Sequence, residues 1–237
     1  MPQRKLPSLN DYDWEAIEED ILSQGYGRVP RVLDLARCKE LIALYDHQAS
    51  FRKRIVMEQH NFGLGEYSYF SYPLPKIVAH LRTELYRRLA PIANSFMHAL
   101  RSQLSYPPTL KAFQNQCWKA GQTRPTPLML RYDVGGFNCL HRDLYGETVF
   151  PLQAMIVLNH EGQDFKGGEF VLVENRPRQQ ARALVLHPNQ GDLVIFPVSD
   201  RPIQGKRGIL RASMRHGVSP IVSGRRWVLG IIFHDAI

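Results

Sequence analysis

Apolar residues recur at helical spacing through much of the first half of the chain and at strand spacing through the second. After Asp11, a helix-capping residue type, Trp14, Ile17, Ile21 and Leu22 share one helical face, which Gly25 closes. Asp34 can cap a second segment with Leu35, Cys38, Leu41, Ile42 and Tyr45 on one side. A third begins after Pro73-Leu-Pro75 and carries Ile77, Leu81, Leu85 and Leu89; Pro91 breaks or kinks it before Ile92 to Leu104 continue. Between the second and third, Phe51 to Tyr72 is rich in Gly, Tyr and Phe and reads as strands and loops. It forms either an edge hairpin packed on the core or a lid over a substrate.

From Gly121 onward short β-type runs follow at near-regular intervals: Pro127–Tyr132, Phe150–Leu158, Glu169–Glu174, Leu184–Leu186, Asp192–Phe196 and Trp227–Phe233. That spacing is the signature of a β-sandwich or jelly roll. The expected fold is α+β, a double-stranded β-helix (jelly-roll) core preceded and flanked by N-terminal helices. One domain would span 1–237, with 1–120 a helical scaffold and substrate lid and 121–237 the jelly-roll core in which catalysis would sit.

Composition narrows the class. With 44% hydrophobic and 22% charged residues, the 237-residue chain can bury a core. No stretch approaches the ~18 consecutive apolar residues of a membrane span, and Met-Pro-Gln-Arg-Lys-Leu-Pro leads into polar sequence rather than an apolar signal core. A cytoplasmic protein with no membrane partner is expected. Cys38, Cys117 and Cys139 are widely spaced and suggest reduced, mostly buried thiols. Thirty Lys and Arg against 22 Asp and Glu give +8, which favours an anionic partner, either nucleic acid or a small polyacid.

The chemistry centres on His141-Arg-Asp143. On an extended segment residues i and i+2 share a face, so imidazole and carboxylate converge while Arg142 turns away. His216 lies far along the chain, before the last expected strand, and a jelly roll can bring the two segments together. Two His and one carboxylate make a facial triad that leaves three positions open on iron(II). A keto acid takes two of them and O2 the third. Arg226, ten residues after His216, matches the far carboxylate of such an acid with a planar two-pronged donor.

In these features the chain resembles the iron(II)/2-oxoglutarate dioxygenase superfamily. The matching stretch is Arg131-Tyr-Asp-Val-Gly-Gly-Phe-Asn-Cys-Leu-His-Arg-Asp143, joined by Phe165-Lys-Gly-Gly-Glu-Phe and Gln190-Gly-Asp-Leu-Val-Ile-Phe-Pro. The resemblance implies that His141, Asp143 and His216 hold Fe(II), and that Arg226 and Tyr132 hold 2-oxoglutarate. A narrower likeness is carried by Tyr72-Pro-Leu-Pro, Asp143-Leu-Tyr-Gly, Phe150-Pro-Leu-Gln, Gly168-Glu-Phe-Val-Leu and Phe233-His-Asp-Ala. These look like a bacterial family grouped with the AlkB-type enzymes and described as acting on alkylated nucleic acid. The chain departs from AlkB-type repair enzymes in having Leu130 two residues before Tyr132, where they carry Asn. It also lacks their Asn and second Arg after Arg226.

Other readings of the same residues stay open. A hydroxylase of protein side chains or of small molecules would use the same centre. A non-catalytic or zinc-binding jelly roll would need no oxygen chemistry. His141-Arg-Asp-Leu also imitates a kinase catalytic loop, but Thr148 stands where that loop has Asn, and no glycine-rich loop with a strand lysine is present. For a nucleic-acid substrate, Tyr67, Tyr69 and Phe70 would stack a base, or simply pack the core. Asp200 to His216 reads as a basic loop in which Arg207 and Arg211, with Arg201, Lys206 and Arg215, and with Arg176, Arg178 and Arg182 nearby, would meet phosphates or pair with neighbouring acids.

Overall fold

The computed structural model describes residues 6–206 and 208–237. Its helices are α1 (Trp14–Ser23), α2 (Leu35–Leu44), α3 (Lys76–Ala99) and α4 (Leu110–Lys119). Asp13, Asp34 and Thr109 cap α1, α2 and α4, each accepting a first-turn backbone N–H that would otherwise lack a partner. The first cap is therefore Asp13 rather than Asp11. The periodicity did not predict α4 because only Leu110, Phe113 and Cys117 of its ten residues are buried apolar groups. Through Pro91 α3 runs unbroken. Pro91 and Arg87, whose carbonyl loses its donor there, are both on the exposed side, so the missing bond leaves no buried acceptor.

The strands, in chain order, begin with β1 (Gly27–Val29), β2 (Phe51–Val56), β3 (Gly63–Leu64) and β4 (Glu66–Phe70). Next come β5 (Leu128–Tyr132), β6 (Phe137–His141), β7 (Leu152–Val157), β8 (Phe165–Gly167) and β9 (Phe170–Asn175). The last are β10 (Arg182–Leu186), β11 (Leu193–Pro197), β12 (Asp200–Gly205), β13 (Gly208–Val218), β14 (Ile221–Gly224) and β15 (Arg226–Ile231). A major sheet runs β1-β11-β7-β15-β5-β4-β2, and a minor one β10-β9-β13-β6-β3 with β12 paired to β13. The pairings are antiparallel, as a jelly roll requires. Strands β1, β2 and β4 come from the first 120 residues, so that region supplies sheet as well as helices, and β2 and β4 lie within Phe51 to Tyr72.

Both faces of the major sheet are covered. Phe70, Met129, Leu152, Ala154, Ile156, Leu193, Ile195, Leu229 and Ile231 pack against the helices. The alternate positions Tyr132, Met155, Val157, Val194, Phe196 and Val228 pack against Phe170, Leu172, Met214 and Val218 of the minor sheet. Strands buried on two faces read as continuous apolar runs, which is why these were predictable. The space between the sheets holds the candidate site.

The segment Asp200 to His216 is not a loop. Its described residues form the β12–β13 hairpin, registered from Asp200↔Ser213 to Gly205↔Gly208. Charged and polar residues on its outer face mask the alternation in the sequence. No helix of the described residues is long and apolar enough to cross a membrane.

Candidate metal centre and cofactor pocket

Register builds the site. His141 and His216 are direct partners across β6 and β13. Asp143 follows His141 by two residues, just beyond the strand end. Ligand atoms of the three lie within 4.8 Å of one another, and they form the one such group of His, Cys, Asp and Glu among the described residues. The imidazoles sit 4.2 Å apart, centre to centre. His216 Nε2 is 3.3 Å from Asp143 Oδ2, and His141 Nε2 is 3.7 Å from Asp143 Oδ1. His141 Nδ1 donates to the Cys139 carbonyl at 2.7 Å, which leaves its Nε2 lone pair turned to the centre.

The electrostatics suit a cation. Burial raises the Asp143 carboxyl, but His216, His141 and the Tyr145 hydroxyl outweigh it and hold the group well below the usual carboxylate range. Burial first, then the neighbouring His141, lowers His216. One carboxylate and two imidazole nitrogens are the donor set that iron(II) accepts.

A cavity of about 350 Å³ opens between the sheets and is lined by all three residues together with Tyr132, Asn138 and Arg226. Arg226 pairs with Tyr132 across β15 and β5. It is 2% exposed, and its Nη1 is buried without a hydrogen-bond partner among the described residues. No carboxylate among the described residues lies within ion-pair distance of it; burial lowers its pKa to about 10. Gly168, at φ +68°, leaves space for the arginine: a Cβ there would sit 2.9 Å from Arg226 Cδ. A buried guanidinium with an unused N–H needs an anion, and a dicarboxylic keto acid brings one.

Three contacts escaped the sequence reading. Gln153 Nε2 lies 3.2 Å from His216 Nε2, and Gln153 Oε1 is buried without a partner. Its signal was available: Gln153 is the one polar residue in the run Phe150–Leu158. Asn138 donates to the Tyr132 hydroxyl at 3.3 Å, from β6 of the facing minor sheet rather than from position 130. Tyr145 donates to Asp143 Oδ1 at 2.5 Å. Burial and the adjacent Asp143 charge raise the Tyr145 phenol well above its ordinary value, so it remains a donor.

The expected substrate residues separate. Tyr67 lines the cavity. Tyr69 is 7% exposed, packed edge-on against Tyr67 and Tyr145 with Arg52 over its ring, while Phe70 faces the helices. Arg211 pairs with Asp200 at 2.8 Å and, five residues from His216 on β13, faces away from the cavity. Arg207 lies outside the described residues. Arg201 is fully buried against Glu174, which Arg176 and Arg182 also approach. Much of the expected phosphate-binding cluster is thus occupied by an internal acid.

Solved structures share this architecture. A prolyl hydroxylase of Trichoplax adhaerens, in complex with a hypoxia inducible factor peptide, superposes with a TM-score of 0.59 at 11% identity, over 94% of this chain and 89% of that one. A 2OG-Fe(II) oxygenase family oxidoreductase of Burkholderia pseudomallei gives 0.56 at 15%, over 99% and 98%. A Pseudomonas putida prolyl-4-hydroxylase gives 0.55 at 14%, over 92% and 96%. These likenesses are of fold, and in the cavity of that fold this chain places a His–Asp–His donor set able to hold a metal ion. Residues 65–236 match the model of the family described as an oxygenase catalysing oxidative methylation of damaged DNA, and the chain belongs to that family. An uncharacterized protein of Mycobacterium tuberculosis is 44% identical over 169 residues, 71% of this chain and 72% of its own length.

Proposed function

We propose that the enzyme oxidises alkylated bases in nucleic acid, with His141, Asp143 and His216 as iron ligands and Arg226 and Tyr132 as the 2-oxoglutarate anchor. The observation that carries the cofactor half is the buried, unpaired Nη1 of Arg226 in the same cavity as the triad. The substrate half is supported by the family description and by the +8 charge.

Iron(II) with 2-oxoglutarate and O2 supplies the oxidising power when bound, converting the keto acid to succinate and CO2 as a substrate C–H bond is hydroxylated. The chain's own residues orient and exclude. Arg226 fixes the far carboxylate with its planar donors, and the Tyr132 hydroxyl, itself held by Asn138, adds a second contact. Leu128, Leu130, Val228 and Ile232 form an apolar wall on the side of Tyr67, suited to a flat, apolar-faced ligand. Hydroxylation of an N-methyl group there would release formaldehyde and restore the base.

The test is a turnover assay on single- and double-stranded oligonucleotides carrying N-methylated bases, following succinate and formaldehyde together. Stoichiometric formaldehyde from the methylated strand and none from the unmethylated one is expected. Succinate formation unchanged by every oligonucleotide, but stimulated by a peptide or metabolite, would move the substrate to another class.

A further inference from the structure

We propose that Tyr145 is a positioning residue for the metal centre, holding Asp143 so that only one of its carboxylate oxygens is free to ligate. The proposal rests on the reading of His141, Asp143 and His216 as ligands and goes beyond it to the coordination number.

The two oxygens of Asp143 are in different surroundings. Oδ1 accepts the Tyr145 hydroxyl at 2.5 Å. Oδ2 faces His216 Nε2 at 3.3 Å, nearer than Oδ1 lies to His141 Nε2, 3.7 Å. A carboxylate can ligate through one oxygen or both, and the difference decides the chemistry here. With two imidazoles and one oxygen, three of six positions remain for the keto acid and O2. With both oxygens bound, only two remain and one co-substrate is excluded. A strong donor fixed on Oδ1 biases the carboxylate to the first arrangement.

The hydroxyl can do this because its ring is held on several sides. Tyr69 meets the Tyr145 ring edge-on at 6.1 Å, and Tyr67 meets Tyr69 in the same manner at 5.3 Å. His234 packs at 5.9 Å from another side. The backbone after Tyr145 is also fixed. Gly146 lies at φ +152° with its Cα so close to Gln122 that a Cβ would fall 2.4 Å from the amide carbon. Gln122 in turn donates to the carbonyls of Thr148 and Asp235 and accepts from Thr148 N–H. The tyrosines between Phe51 and Tyr72 and the Leu144-Tyr-Gly turn therefore form one wall behind the carboxylate.

The test uses cobalt(II), which occupies such sites without turning over, added to full-length metal-free protein. Cobalt affinity, the visible ligand-field band and 2-oxoglutarate binding to the cobalt form are measured for wild type, Tyr145→Phe and Tyr106→Phe. Tyr106 is the control: its buried hydroxyl donates to the Val149 carbonyl at 2.8 Å, and it does not line the cavity. Y145F should weaken cobalt about tenfold, shift the band as a second carboxylate oxygen takes a position otherwise held by water, and weaken 2-oxoglutarate binding. Y106F should lower the melting temperature and change none of the three. Wild-type cobalt affinity and band in Y145F, with both lost in Asp143→Ala, would overturn the role of Tyr145 alone. Retention of both in Asp143→Ala would instead remove the ligand assignment, and this inference with it.

Discussion

Arg226 and Tyr132 stand opposite each other on adjacent strands, with the guanidinium carbon 5.9 Å from the phenol ring centre. Neither is more than 2% exposed, and the arginine has a buried N–H with no acceptor among the described residues. An unpaired charge in that position destabilises the protein without its cofactor and is relieved only when a carboxylate arrives. Arg226→Met should therefore split stability from function. Its melting temperature without 2-oxoglutarate should equal or exceed that of wild type, while KM for 2-oxoglutarate rises about a hundredfold, the ~3 kcal/mol of charged hydrogen bonds lost. Saturating 2-oxoglutarate should raise the wild-type melting temperature and leave R226M unmoved. A large drop in the melting temperature of cofactor-free R226M would mean that the guanidinium is satisfied within the fold.

Substitution at the triad should behave differently. His141→Ala and Asp143→Ala each remove a side chain at the cavity rather than from either large apolar cluster. Circular dichroism should be preserved in both, with succinate production at background. Turnover within tenfold of wild type in either variant would exclude that residue from the metal.

How far the sequence reached follows from what each residue depends on. Leu152–Val157 and Leu193–Pro197 were legible because both their faces are buried, which no surface strand imitates. His141 and Asp143 were legible from local spacing, and Arg226 from its offset after His216. The hairpin of β12 and β13 was not legible, because Arg211, Ser213 and Arg215 alternate outward along it and Arg201 buries its charge against Glu174, 27 positions away. Tyr145, Gln153 and Asn138 depend on neighbours supplied by the turn after β6 and by other strands, and a single residue type carries no trace of such a partner.

Two motifs that the sequence marked without explanation meet where α3 and α4 approach the C-terminal segment. Arg82 and Asp235, both fully buried, pair at 2.7 Å. The Tyr72 hydroxyl and the Trp118 indole N–H also donate to Asp235, and Arg82 donates to the Ile232 and Phe233 carbonyls. Tyr72-Pro-Leu-Pro and Phe233-His-Asp-Ala are therefore joined through one carboxylate that ties α3 and α4 to the C-terminal segment. Asp235→Ala strands the arginine and should cost about 3–5 kcal/mol in urea unfolding, and Arg82→Met with Asp235→Ala should recover part of it. If the double variant is less stable than D235A alone, the pair is not the source of the loss.

Acid should weaken the fold through His234. Its Nδ1 accepts from the Phe150 N–H at 3.3 Å, so the ring is neutral with its hydrogen on Nε2, where it finds no partner among the described residues. Burial lowers its pKa from 6.5 to about 4. A histidine depressed in the folded state binds its proton more readily when unfolded. Its contribution to stability is complete above pH 6.5, declines as pH falls and is lost near pH 4, a change of about 3 kcal/mol over that window. His216, also lowered by burial, acts in the same direction, whereas Asp143 begins to lose its contribution only as pH falls below its ordinary value of 3.8. His234→Gln, which keeps an acceptor for Phe150, should therefore flatten the pH dependence of the urea midpoint between pH 6.5 and 4.5 without abolishing it. Parallel curves for wild type and H234Q would show that His234 titrates at its ordinary value and is not held neutral by the fold.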